Sequence, residues 1–151
     1  MQIRKDDLTG QKIADFLQEH LENMYEITPP ESVHALDLEA LRSPDITFWS
    51  AWEDDELLGC GALKELDASS GEIKSMRTAI DHRGRGVASK ILEHMIQEAK
   101  RRGYDCLHLE TGSQPEFAPA RALYTRYGFE YRGPFAEYVD DSNSVFMTKK
   151  L

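Results

Sequence analysis

The stretch Asp81-His82-Arg83-Gly84-Arg85-Gly86-Val87-Ala88-Ser89 holds the residue types best suited to chemistry. It precedes an amphipathic segment, so it reads as a loop feeding the N-terminus of a helix. The first amides of a helix have no internal acceptor, and the aligned peptide dipoles make that end positive. Glycines let a backbone turn tightly and approach a ligand closely. Gly84 and Gly86, followed by the amides of Val87, Ala88 and Ser89, therefore suit a phosphate or diphosphate, and Arg83 and Arg85 add side-chain charge.

Two familiar phosphate binders fit the stretch poorly. A P-loop ends in Gly-Lys-Ser/Thr, and Ser89-Lys90-Ile91 breaks that pattern twice. A dinucleotide fingerprint would run Gly84-x-Gly86-x-x-Ser89, without the third glycine or alanine. It would also need Glu110 as its ribose-binding acid, in a doubly wound context that the preceding strands do not supply. His20, His34, His82, His94 and His108 are scattered. Cys106-x-His108 alone is no metal site, so no metal is expected, and His82 falls close to the diphosphate loop. Cys60 and Cys106 lie in apolar stretches without a neighbouring base, so they read as reduced, buried thiols rather than nucleophiles or a disulfide.

The elements that must position this loop follow from periodicity. A short strand fits Met1–Arg4. Ile13, Phe16, Leu17, His20, Leu21 and Met24 recur at helical spacing until Pro29-Pro30. A short helix is expected over Val33–Leu41. Ile46–Glu53, Leu57–Leu66 and Glu72–Ile80 read as three strands joined by tight turns, hence antiparallel. Gly86–Arg102 is a long helix closed by Gly103, and Cys106–Thr111 is a strand. Strand, helix and strand make a crossover, which places Cys106–Thr111 parallel to Glu72–Ile80. Pro119–Tyr127 is a shorter helix, and Phe129–Arg132 and Ser144–Leu151 close the chain. The fold expected is α+β: one mixed, twisted sheet of about six to seven strands with helices on both faces.

Arg83, Gly86 and Ala88 complete the pattern Arg/Gln-x-x-Gly-x-Gly/Ala, and Leu123-Tyr124-Thr125-Arg126-Tyr127-Gly128-Phe129 matches Leu-Tyr-x-x-x-Gly-Phe. Together with the order of elements, these two motifs resemble the GNAT superfamily of acetyl-CoA-dependent N-acetyltransferases over nearly the whole chain, as a single domain. The resemblance implies transfer of an acetyl group from acetyl-CoA to an amine in a ternary complex. The amides of Arg85, Gly86, Val87, Ala88 and Ser89 would hold the diphosphate. Met76 and Thr78, on a strand that splays from its parallel neighbour, would offer backbone groups to the pantetheine arm, and one of their amides would polarise the thioester carbonyl. Tyr124 would be the general acid to the sulfur. Glu72 would be the base, with Glu110 or a water-mediated route as rivals. Since Glu72 stands four residues before Met76, both side chains are expected on one strand face. Where many relatives carry an asparagine ahead of that tyrosine, this chain has Phe117. The acceptor site would form from residues 23–41 and 133–143, with Tyr25, Glu26, Glu31, Phe135, Glu137, Tyr138, Asp140 and Asp141 suited to an ammonium group. Relatives often form homodimers, and the non-catalytic alternative is a regulatory module that binds acyl-CoA.

Bulk properties agree with an enzyme of this size. The 151 residues suit one domain, with 40% hydrophobic and 30% charged residues. A formal net charge of −9 argues against nucleic acid as partner and mildly favours a cationic acceptor. No apolar run is long enough for a membrane span, and the polar N-terminus is unlike a signal peptide, so a cytoplasmic location is expected.

Overall fold

The structure, a computed structural model, describes residues 1–151. Seven strands form one mixed sheet: β1 (Gln2–Lys5), β2 (Ile46–Glu53), β3 (Glu56–Asp67), β4 (Ser70–Thr78), β5 (Cys106–Gly112), β6 (Glu130–Arg132) and β7 (Ser144–Lys150). Their spatial order is β1-β2-β3-β4-β5-β7-β6. All neighbours pair antiparallel except β4 and β5, the parallel pair expected from the crossover. The helices are α1 (Gln11–Ile27), α2 (Val87–Arg101) and α3 (Ala118–Arg126). No helix is long and apolar enough to cross a membrane.

Each helix covers the sheet with the apolar stripe its sequence carries. α2 buries Val87, Ile91, Leu92, Met95, Ile96 and Ala99 in the larger core cluster, with Leu63, Ile73, Leu107 and Leu109 from the central strands. Leu123 and Tyr124 of α3 join the same cluster. On the other face, Ile13 and Leu17 of α1 pack with Leu41, Phe48, Cys60 and Ala62. Successive residues of a strand point to opposite faces, which is why Cys60 and Leu63 belong to different clusters. Glycines with φ of +82° and +89°, Gly103 and Gly128, follow α2 and α3.

One expected element is absent. Residues 33–37 are irregular rather than helical, flanked by single 3-10 turns at Pro30–Ser32 and Ala40–Arg42. The Asp37 carboxylate accepts a hydrogen bond from the Ala40 amide at 2.8 Å, a local turn that competes with an α-helix. Leu36 and Leu38 both pack on the α1-side cluster. Two residues apart on one face is the spacing of extended chain.

Candidate active site

The loop ahead of α2 is built as a cradle of free amides. Gly84 and Gly86 have φ of +77° and +80°, the left-handed region that disfavours other residues, and a side chain on either would meet only open space. The Arg83 amide donates to Ile80 O at 3.4 Å, and the next amide with a backbone acceptor is Lys90, on Gly86 O at 3.1 Å. The amides of residues 84–89 have no backbone acceptor between those two. The two arginines separate in role. Arg85 reaches away, with Nη1 2.5 Å from His82 Nδ1 and Nη2 donating to Glu53 Oε2 at 3.2 Å. A guanidinium only donates, so His82 Nδ1 accepts and its Nε2–H donates to Glu56 Oε1 at 2.8 Å. Arg85 and buried His82 thus brace the loop against the β2–β3 hairpin, while Arg83 stays exposed.

Beside the loop the sheet opens. β4 pairs with β5 only from Ser70↔Cys106 to Ile73↔Leu109, and beyond that the two strands diverge. Ala79 N–H donates to Leu58 O at 2.8 Å on the β3 side. Amides alternate sides along a strand, so those of Met76 and Thr78 face the open gap. β4 also carries a bulge. Cys60 pairs with Arg77 and Ala62 with Lys74, so Ser75 and Met76 together oppose the single residue Gly61. Ser75 takes φ of +55°, and its carbonyl accepts from Cys60 Sγ at 3.2 Å. The extra residue reverses the alternation. Met76 therefore packs toward α2, while Glu72 lies on the opposite face. The expectation that Glu72 and Met76 share a face fails for that reason.

A cleft of about 110 Å3 lies where the strands part. Glu72, Lys74, Ser75, Met76, Glu110 and Tyr124 line it. The Ser75 hydroxyl is buried without a partner. Burial, reinforced by the Glu110 charge, pushes the Tyr124 hydroxyl well above its ordinary value, so it holds its proton. Burial likewise pushes the Glu110 carboxyl up to about 7. Glu72 is 3% exposed and engaged: its Oε2 accepts from Lys74 Nζ at 3.0 Å and from the Tyr138 hydroxyl at 2.6 Å. Phe117 closes one end of the cleft, lying so near Gly112 that a Cβ there would come within 2.1 Å of its ring. A larger hollow of about 650 Å3 between β1 and the start of α1 contains none of these groups.

Residues 13–129 match the profile of the Acetyltransferase (GNAT) family. The chain belongs to that family. It is 61% identical to the uncharacterized N-acetyltransferase YsnE of Bacillus subtilis, over 100% of both chains. It is 47% identical to the uncharacterized N-acetyltransferase YedL of Escherichia coli, over 99% of this chain and 94% of that one. Among solved structures, a GNAT acetyltransferase from Elizabethkingia anophelis with acetyl-CoA bound superposes with a TM-score of 0.65 at 18% identity, covering 99% of this chain and 97% of that one. The chain is accordingly an acyltransferase with the GNAT fold.

The GNAT chain brings Glu72, Met76, Glu110 and Tyr124 to one cleft, as the sequence suggested, but not all of its acceptor candidates. Tyr25, Glu26, Glu31, Glu137 and Asp140 are exposed and make no contribution to the cleft wall. Phe135 is buried, stacked on His108 and tilted against Tyr138 at ring distances of 5.0 Å. Asp141 instead ties the segment around Pro30–Ser32 to the loop between β6 and β7, accepting from the Ser32 hydroxyl at 2.5 Å. Sequence reasoning missed His20, His34 and Lys74, which line the cleft. The one signal for His20 was its place on the apolar face of α1, where a polar side chain needs a partner. Cys60 is buried, with its thiol pushed up to about 12, whereas Cys106 is only half-buried.

Proposed function

We propose that this protein transfers the acetyl group of acetyl-CoA to the primary amine of a small-molecule acceptor, by direct attack in a ternary complex, the whole chain acting as one catalytic domain. The observation that carries the reading is the gap between β4 and β5, flanked by the unpaired amides of residues 84–89 and lined by Tyr124 and Glu110. The residues present fit coenzyme A: free helix-terminal amides and exposed Arg83 for a diphosphate, outward Met76 and Thr78 amides for an extended polar arm, and an orphaned Ser75 hydroxyl. Acetyl-CoA supplies the activated acyl group, its C–S bond breaking as the C–N bond forms.

Gly84 through Ser89 bind the diphosphate, and Arg85 holds their loop in place rather than touching the ligand. A Met76 or Thr78 amide donates to the carbonyl oxygen as charge develops there. Tyr124 donates its hydroxyl proton to the sulfur as the C–S bond breaks. Because a phenol at about 10 is a weaker acid than a thiol at roughly 8.5, the tyrosinate does not persist and is reprotonated by the proton that Glu110 takes from the amine. Glu110 takes the proton of the amine, which a carboxyl near 7 does far better than an ordinary one. Glu72, committed to Lys74 and Tyr138, shapes the wall rather than moving the proton. The cleft, about 110 Å3, suits a small acceptor.

The test combines calorimetry with acetyl-CoA and thiol release with a panel of small primary amines. Binding with amine-dependent release is expected. Binding without release for any amine would leave an acyl-CoA-binding module, and no binding at millimolar concentration would overturn the reading.

A further inference from the structure

The cleft wall formed by β4 and α1 carries hydrogen-bond donors that its own groups do not exhaust. An ammonium has three N–H groups. Lys74 Nζ spends one on Glu72 Oε2 and one on the Tyr138 hydroxyl, both at 3.0 Å, and its third remains. His20 Nδ1 lies 3.2 Å from Arg77 Nη1. Since a guanidinium only donates, Nδ1 accepts and the ring proton sits on Nε2. His20, which carries that donor, lines the cleft. Burial, with help from Arg77, lowers the ring's proton affinity to about 4, so it stays neutral.

Behind His20, Arg77 is half-buried and has no carboxylate in contact, the Glu19 charge on α1 acting on it only through space. Its polar neighbours are His20 and the Asn23 carbonyl oxygen at 3.4 Å, its apolar one is the Phe16 ring, and its Nε is buried without a partner. The carboxylates of the cleft do not balance it. Glu72 is matched by Lys74. Glu110 lies on β5, where it interacts with both Lys74 and Tyr124 rather than with Arg77. A simple amine would place a third cation beside Lys74 and Arg77, leaving these donors unfilled. An acceptor carrying both an amine and an oxyanion would serve both walls.

Resting on the acetyl transfer proposed above, we infer that the acceptor is a small amino carboxylate, its carboxylate held by Lys74 Nζ and His20 Nε2–H with the Arg77 charge behind them, and its amine directed to Glu110. Lys74 and His20 are then specificity-determining residues. Sites built to hydrogen-bond a substrate group reject analogues lacking it strongly.

The experiment uses matched acceptors: alanine with ethylamine, phenylalanine with phenethylamine, tryptophan with tryptamine, and 4-aminobutyrate with propylamine. For at least one pair, kcat/KM should favour the carboxylate by about 100-fold or more. The double variant Lys74→Met with Glu72→Gln removes the cation without orphaning the buried carboxylate. Its preference ratio should collapse toward one through a rise in KM for the carboxylate partner, and Lys74→Arg should restore much of it. Decarboxylated amines equal to or better than their partners in every pair would overturn the inference. So would turnover of neither partner in any pair by protein that binds acetyl-CoA. Failure to bind acetyl-CoA would instead remove the acetyl transfer itself, and this inference with it.

Discussion

The loop proposed to hold a diphosphate and the cleft proposed to take the acceptor lie on one sheet and are made of different materials. The loop offers main-chain amides from one run of residues, 84–89, and its side chains point elsewhere: Arg85 to His82 and Glu53, Val87 into the core. The cleft offers side chains from separate elements: His20 from α1, Lys74 from β4, Glu110 from β5 and Tyr124 from α3. A main-chain site depends on backbone angles and tolerates changes in side-chain type. A side-chain site depends on which groups converge and tolerates little truncation.

Substitutions can break or sharpen that contrast. The largest effect is expected in the cleft: Tyr124→Phe should lower kcat by about 100- to 1,000-fold in single-turnover assays, with acetyl-CoA affinity unchanged. In the loop, Gly86→Glu sets a bulky residue at φ of +80° and a negative charge at the diphosphate seat. Calorimetry should show affinity falling on the order of 100-fold. Glu110→Gln should cost about 100-fold in kcat/KM and abolish the rise in rate as pH increases through about 7, since only the deprotonated carboxyl accepts the amine's proton. Glu110 also links pH to stability. Its folded value is raised, so its contribution is fully present below the ordinary 4.5 and is lost as pH rises through about 7. The melting temperature of Glu110→Gln relative to the parent should therefore improve between pH 5 and pH 8.

Smaller effects should follow at the periphery. Ser32→Ala removes the clasp to Asp141, worth about 1 kcal/mol, and should raise the acceptor's KM about 5-fold with acetyl-CoA affinity intact. Arg85→Ala should weaken acetyl-CoA binding only about 3-fold, because that guanidinium braces the loop instead of reaching the ligand. A loss as large as that of Gly86→Glu would show that side-chain charge, not the backbone, makes the loop.

The same contrast explains what was legible in the sequence. The loop could be read because its requirements are local: two glycines with positive φ, then an amphipathic run for α2. The antiparallel run of β2, β3 and β4 and the parallel β4–β5 pair followed from turns and one crossover, whereas the insertion of β7 between β5 and β6 did not. Glu72 and Tyr124 were read from motif positions, but that Lys74 and Tyr138 occupy Glu72 depends on a loop that follows β6 in the chain. The turn at Asp37 was hidden because Val33–Leu41 has helix-compatible composition while its apolar residues serve extended chain. Ser75 was hidden because Lys74-Ser75-Met76 contains neither glycine nor asparagine to announce φ of +55°.

The irregularity at Ser75 also sets how β4 would respond to a change in length. Lys74 points toward α1, Met76 toward α2 and Arg77 toward α1. Excising Ser75 would leave these three in ordinary alternation, each opposite its present partner on β3, and would remove a strained torsion. The shortened chain should fold at least as well, with its cores undisturbed. What it would lose is the bend that the bulge puts into β4 where it parts from β5, so folding and turnover place opposite demands on a single position.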